Sequence, residues 1–247
     1  MNAWMGIVRM DMKNMIQSPV LIGFNTIFVV LMILSMGFLT SGAYAQSLDA
    51  YRYYAVSILV YAMLNGAMTA TNCFMERDVK RPNLRIIHSP AGSFSIYFSK
   101  MISSFVFNTI CHLLVMSGLV WLLGLPIDGR LAGLILLLMI PVEFAACALG
   151  ILFCCVYRSE EGASTLLSSV ISLGAFLGGT FFSWEGLGGT MAFLSKLSPV
   201  KWLNDAFFAM VVDGASALYW PVWLGSVGLS LLSLLGCRLL FRTEDYL

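Results

Sequence analysis

Six long apolar runs separated by short polar joints make up most of this 247-residue chain. A helix needs roughly 20 residues, at about 1.5 Å rise each, to cross a hydrocarbon core. Within lipid it also satisfies its own backbone hydrogen bonds, which an irregular segment cannot do. The runs cover Val20–Leu39, Tyr53–Phe74, Met101–Leu123, Leu131–Val156, Ala163–Phe182 and Tyr219–Phe241. Charged residues are only 11 % of the chain against 59 % hydrophobic, too little charge to clothe a soluble monomer. The expected fold class is therefore an all-α polytopic membrane protein with six transmembrane helices, forming a single domain over 1–247.

Segment 1–17 does not read as a signal peptide, since Arg9, Asp11 and Lys13 interrupt it. Trp4, Met5, Val8, Met12 and Met15 recur at helical spacing, which predicts an N-terminal interfacial helix or, more simply, a cytosolic extension. Ser18-Pro19 suits a boundary, because proline fits the first turn of the next helix.

Basic residues orient the chain. With both termini on one side, that side carries Arg9, Lys13, Arg77, Lys80, Arg81, Arg85, Lys100, Arg158, Arg238 and Arg242, ten in all. The other side carries four: Arg52, Arg130, Lys196 and Lys201. The positive-inside rule then places both termini in the cytoplasm. Trp121, Trp184, Trp220 and Trp223 fall near the outer boundaries, where amphipathic rings favour the headgroup layer. The six cysteines show no CxxC spacing and read as buried structural residues.

Motifs for catalysis and nucleotide binding are missing. There is no HExxH, no GxSxG and no Walker A sequence, and only two histidines, His88 and His112. A transporter built from this chain must draw energy from an ion gradient or from another polypeptide. Glu143, two residues after Pro141 in the fourth run, is the one acidic residue deep in a span. A bare carboxylate in lipid is costly, so it faces protein, faces a wet cavity or carries a proton. Substrate handling and helix packing both remain open for it. His112, Asn65 and Asn108 invite the same question, with interhelical hydrogen bonding as the default.

Two joints carry more information than any span. Segment 76–100 is the longest and most basic cytoplasmic joint. Pro82 can start a short helix there, Leu84, Ile86 and Ile87 give it apolar contacts, and Ser89-Pro90-Ala91-Gly92 ends it. A partner that grips such a helix can push on two spans at once. Arg77, Lys80, Arg81 and Arg85 suit an acidic rim on that partner or anionic lipid, and plain positive-inside anchoring also accounts for them. Segment 183–218 is too long for a turn and too apolar to float free. Gly186, Gly188 and Gly189 permit a tight turn before Met191–Leu197, and Ser198-Pro199 reads as an N-cap and first helical position. Trp202, Ala206, Phe207 and Met210 are expected on one inward face, with Lys201, Asn204, Asp205 and Asp213 towards water. The expectation is two short re-entrant helices forming an extracellular cap before the last span.

In this order, the two joints resemble the membrane-spanning subunit of ABC-2 type transporters. The family pattern after span two is roughly E-R-E-x-G-T-L-E-x-L-x-x-[ST]-P with a closing lysine. Glu76-Arg77-Asp78, Leu84, Ile87, Ser89-Pro90 and Lys100 keep its outline, while Lys80-Arg81-Pro82-Asn83 replaces the central G-T-L-E. The run Leu197-Ser198-Pro199-Val200-Lys201-Trp202-Leu203-Asn204-Asp205-Ala206-Phe207 is the more specific match, to L-S-P-x-[KR]-W-x-x-[DE]-A-[LF].

What the resemblance implies is an export permease for drugs, peptides, lipids or polysaccharides, working as a dimer with two cytosolic ATPase subunits. The second permease is another copy of this chain or a homologous subunit. Segment 1–17 would be the connecting helix, and residues 83–89 the coupling helix. Spans two and five would form the central contact, and the helices around 191–212 the outer gate. The ATPase-coupling residues would be Glu76, Arg77, Asp78, Leu84, Arg85, Ile87, Ser89 and Pro90; the gate residues Ser198, Pro199, Lys201, Trp202 and Asp205. Met63, Phe107, Glu143, Phe176 and Phe181 are candidate pathway residues. No cofactor or metal is expected in this chain, with ATP and Mg held by the ATPase, and no nucleic-acid partner. A bacterial plasma membrane is the expected location. The little fixed charge in the spans favours a hydrophobic or amphipathic substrate. Gly174, Ala175, Gly178 and Gly179 suit close helix approach in a dimer or within the chain. The rival readings are a gradient-driven carrier coupled through Glu143, a membrane scaffold or immunity protein, and an intramembrane enzyme using Glu143 and His112.

Overall fold

The computed structural model describes residues 3–44, 46–76, 79, 83–84, 92–124, 129–182, 184, 188–212 and 214–241. Helix α1 (Ala3–Gln17) precedes α2 (Pro19–Asn25) and α3 (Ile27–Thr40). Ser18 Oγ accepts the Leu21 N–H at 3.4 Å and Pro19 follows in the first turn, so the chain restarts there as expected. Between α2 and α3 the backbone kinks at Thr26, and the side chains on either side cover the gap. Thr26 Oγ1 donates to Ile22 O at 2.6 Å, and Asn25 Nδ2 donates to Leu21 O at 2.9 Å and to Thr69 Oγ1 at 3.2 Å.

Helix α4 (Ser47–Met75) is the axis of the bundle, with 78 % of its apolar window buried inside the protein. It packs against α3, α5 (Gly92–Leu123), α6 (Gly129–Tyr157) and α7 (Glu160–Leu177). The α4–α6 contact is close because Gly150 has no side chain: a Cβ there would lie 2.4 Å from Ala67 O. Two short helices follow, α8 (Gly189–Leu197) and α9 (Pro199–Val211), and then α10 (Tyr219–Leu240), which packs on α6.

Among the described residues, five stretches are long and apolar enough to cross a membrane: Pro19–Ala43, Leu48–Met75, Phe94–Leu123, Ala132–Tyr157 and Tyr219–Leu240. The remaining expected span, 163–182, corresponds to the shorter and more polar α7. That helix begins at Glu160, where Ser159 Oγ accepts the Gly162 N–H at 3.1 Å, and it stops at Leu177 before Gly178 and Gly179. Gly179 turns the chain with φ +76, a conformation that favours glycine. Residues beyond it are therefore not helical, contrary to the expected run to Phe182.

The C-terminal end of α4 and the α8–α9 pair lie towards opposite ends of the bundle, α4 itself being about 40 Å long at 1.5 Å per residue. At one end, Phe241 after α10 meets Phe74 and Tyr97 (ring centroids 6.1 and 5.8 Å apart), and α1 packs on the first turns of α5. The chain therefore begins and ends its described course at the same end. Towards the other end, α9 packs along α4 from Tyr53 to Met63 and on α7, and α8 packs on α9.

Candidate functional site

Asp11 and Lys100 define the end where α4 runs out. Lys100 Nζ donates to Asp11 Oδ1 at 2.5 Å, with side chains only 2 % and 4 % exposed. Ile7, Asp11 and Met15, spaced one turn apart, form the packed stripe of α1, while Met5 is half exposed. This corrects the expected apolar face, which included Met5 and left Asp11 out. The reason is the ion pair: a buried ammonium on α5 requires its carboxylate partner inside. Burial pushes the Asp11 carboxyl above its ordinary 3.8, against the opposing pull of Lys100. Asp11 also lines a pocket of about 140 Å³ with Asn14, Asn72, Cys73 and Glu76, joining α1 to the end of α4.

Of the expected coupling residues, Glu76 caps α4 and is exposed, its N–H donating to Asn72 O at 3.2 Å. Leu84 packs on the cluster of Phe74, Tyr97 and Met101, and neighbouring Asn83 donates its amide to Phe74 O at 3.2 Å. Arg77, Asp78, Arg85, Ile87, Ser89 and Pro90 lie outside the described residues, as does the expected coupling helix beyond Asn83 and Leu84, which are helical.

A fully buried polar layer crosses the middle of the bundle. Glu143 on α6 accepts from Thr109 Oγ1 at 2.5 Å and pairs with His112 Nδ1 at 2.8 Å. One turn deeper, Asn108 Nδ2 donates to Gly66 O at 3.1 Å, tying α5 to α4. All three side chains, Glu143, His112 and Asn108, have no exposed surface. The arrangement fits interhelical bonding, and Thr109 is the partner that sequence reading missed. Its signal was the Thr109/His112 spacing of three, which puts both on one face of α5.

The other candidate pathway residues are dispersed. Met63 is buried among α4, α6, α9 and α10, and Phe107 packs with Met15 and Cys111. Phe181 stands 5.6 Å from the Tyr61 ring, whereas Phe176 is 43 % exposed beside Phe182 and Trp184.

At the far end, the segment after α7 has no helix to satisfy its carbonyls, and three α4 hydroxyls do so instead. Tyr53 donates to Gly179 O, Ser57 to Thr180 O at 2.9 Å and Tyr54 to Phe181 O at 2.8 Å. Asn204 of α9 adds its amide, to Gly178 O at 3.1 Å and Thr180 Oγ1 at 3.2 Å. Ser198 accepts the Val200 N–H at 3.2 Å and donates to Gly174 O at 2.7 Å, so the expected N-cap also bolts α9 to α7. Pro199 opens the helix, and Lys201 pairs with Asp205 at 2.7 Å. Ala206, Phe207 and Met210 are buried as expected. Trp202 and Asn204 exchange roles: Trp202 is 57 % exposed with its Nε1 on Lys196 O, and Asn204 is buried. The inward position goes to Asn204 because orphaned carbonyls need a donor there, which an apolar-face argument does not register.

The six cysteines are free thiols. Among the described residues no group of three or more His, Cys, Asp or Glu could hold a metal ion.

These helices define an all-α polytopic membrane protein. The family model described as ABC-2 type transporter matches residues 2–212, which takes in every helix from α1 to α9, and the chain belongs to that family. No curated protein matches the chain. Membrane transport is its function at this level.

Proposed function

We propose that this chain is the permease subunit of an ATP-driven exporter for a hydrophobic or amphipathic substrate, working with cytosolic ABC ATPase subunits and a second copy or a homologous permease. The observation that carries this reading is the position of α4. It is buried along its length, ends where segment 76–92 begins, and starts where its hydroxyls hold the α7–α9 cap. A displacement applied at segment 76–92 is delivered to the cap by one packed helix rather than by a chain of loops.

In this reading the single domain crosses the membrane six times, α7 being one crossing. Its 18 residues span about 27 Å, close to the roughly 30 Å hydrocarbon thickness. Its polar residues are used internally: Ser164 Oγ meets Thr71 Oγ1 at 3.0 Å, Ser172 Oγ meets Tyr61 Oη at 3.3 Å, and Ser168 and Ser169 donate to Thr165 O. Leu166, Val170, Leu173 and Phe176 form its exposed stripe, apolar enough for lipid or a second permease. The end bearing α1 and Phe241 faces the cytoplasm of a bacterial plasma membrane, as the basic residues require. There residues 83–89 act as the coupling helix, flanked by the other coupling residues, and α1 as the connecting helix. Ser198, Pro199, Lys201, Trp202 and Asp205 belong to the outer gate. Substrate is released because it binds less well in the outward state than in the loading state. Among the pathway candidates, Glu143 serves packing in this reading, since both of its oxygens are bonded within the protein.

Purification from native membranes tests the proposal. An ATPase should co-purify, and its stimulation by substrate should be lost when residues 83–89 are replaced by a Gly/Ser segment. If transport in vesicles follows a proton or sodium gradient without ATP, the proposal is wrong.

A further inference from the structure

A pocket of about 250 Å³ lies between the start of α4, the end of α7 and the α8–α9 hairpin. Its chemistry is unlike that of the rest of the bundle. Lys196 lines it, as do Lys201 and Asp205, which pair with each other at 2.7 Å. Ser195 and Asn204 also line it, at 3 % and 2 % exposure, and Ser195 Oγ and Asn204 Oδ1 have no hydrogen-bond partner among the described residues. Asn204 cannot turn to relieve this, because both contacts of its Nδ2 hold the end of α7 in place. One wall is the stacked pair Tyr53 and Phe208, with ring centroids 5.0 Å apart. The hairpin outside the pocket is apolar, with Phe193 68 % and Leu197 75 % exposed.

A buried acceptor without a donor calls for a ligand that brings one, and the Lys196 ammonium beside the Ser195 hydroxyl suits an anion. The exposed apolar hairpin adds an acyl-chain environment at the rim. We propose that this pocket binds the headgroup of a membrane phospholipid whose head carries a hydrogen-bond donor, as ethanolamine and glycerol heads do and choline does not. The phosphate sits against Lys196 and the Ser195 hydroxyl, and the head's N–H or O–H donates to Asn204 Oδ1. The acyl chains leave past Phe193 and Leu197. The proposal rests on this end of the bundle lying at a membrane surface, and it needs no particular exported substrate or energy source.

Native mass spectrometry of the delipidated full chain, given back phosphatidylglycerol, phosphatidylethanolamine or phosphatidylcholine, tests it. The first two should be retained about tenfold more strongly than the third, the ratio expected when a buried acceptor keeps or loses its donor. The double variant Ser195→Ala, Lys196→Gln should lose that preference while melting as the parent does, since neither side chain holds another element in place. Equal retention of all three lipids would overturn the proposal, as would an unchanged preference in the double variant. Displacement of every lipid alike by inorganic phosphate would also overturn it, assigning the pocket to a soluble anion.

Discussion

Replacing Lys100 by methionine should release α1 from the bundle. Lys100 and Asp11 are both almost fully buried and are bonded at 2.5 Å, while Asp11 Oδ2 has no other partner. Removing the ammonium leaves an almost fully buried carboxylate without its counter-charge, which costs about 3–5 kcal/mol. The apolar contacts of α1, chiefly Met12 and Met15 with Phe107 and Cys111 and Trp4 with Phe98, are too few to absorb that loss. At about 1.4 kcal/mol per tenfold, the docked population should fall by two to three orders of magnitude. The double variant Asp11→Leu, Lys100→Met removes both charges and fills the gap, so it should dock nearly as well as the parent. Hydrogen exchange of residues 3–17 in detergent or nanodiscs reads the difference directly. If Lys100→Met protects α1 as well as the parent and the double variant do, the ion pair does not hold this helix and the reasoning fails.

The same carboxyl should give α1 docking a pH dependence. Its folded value lies above 3.8, so the docked form binds the proton more readily and docking weakens as pH rises from 3.8 through that raised value, then levels off; exchange rates corrected for intrinsic chemistry should show this, and Asp11→Asn should abolish it. Glu143→Gln should cost under about 1 kcal/mol in thermal unfolding, because an amide still serves Thr109 and His112, whereas Glu143→Leu should cost about 1–3 kcal/mol for each partner left unpaired. Should Glu143→Gln instead abolish transport at unchanged stability, the carboxylate has a functional charge. Gly150→Ala should destabilise by about 1–3 kcal/mol, since its Cβ would meet Ala67 O at 2.4 Å and force α4 and α6 apart; a melting temperature equal to the parent's would show that the contact can relax.

Much of the architecture was legible because lipid imposes a simple rule on composition. Apolar length located five spans, and Ser18-Pro19 and Ser198-Pro199 located two helix starts, since caps act through residues adjacent in sequence. The α8–α9 pair was readable for the same reason. The end of α7 was not, because apolar residues continue to Phe182 and only Gly178 and Gly179 hint at the turn. Hydropathy also left the faces of α1 and α9 open to error. Asp11 and Asn204 point inward although both are polar, and Met5 and Trp202 point outward although both are apolar.

By itself, then, the sequence determined that this chain lives in a membrane, where its helices begin, and which family's joints it carries. Those properties depend on local composition and on neighbours a few residues apart. Only the tertiary structure decided that Lys100 needs Asp11, that Glu143 is held by Thr109 and His112, and that Asn204 completes the broken end of α7. Each of these pairs joins residues more than twenty positions apart. A polar group far from water is stable only beside its complement, and the folded chain alone determines which complement is near.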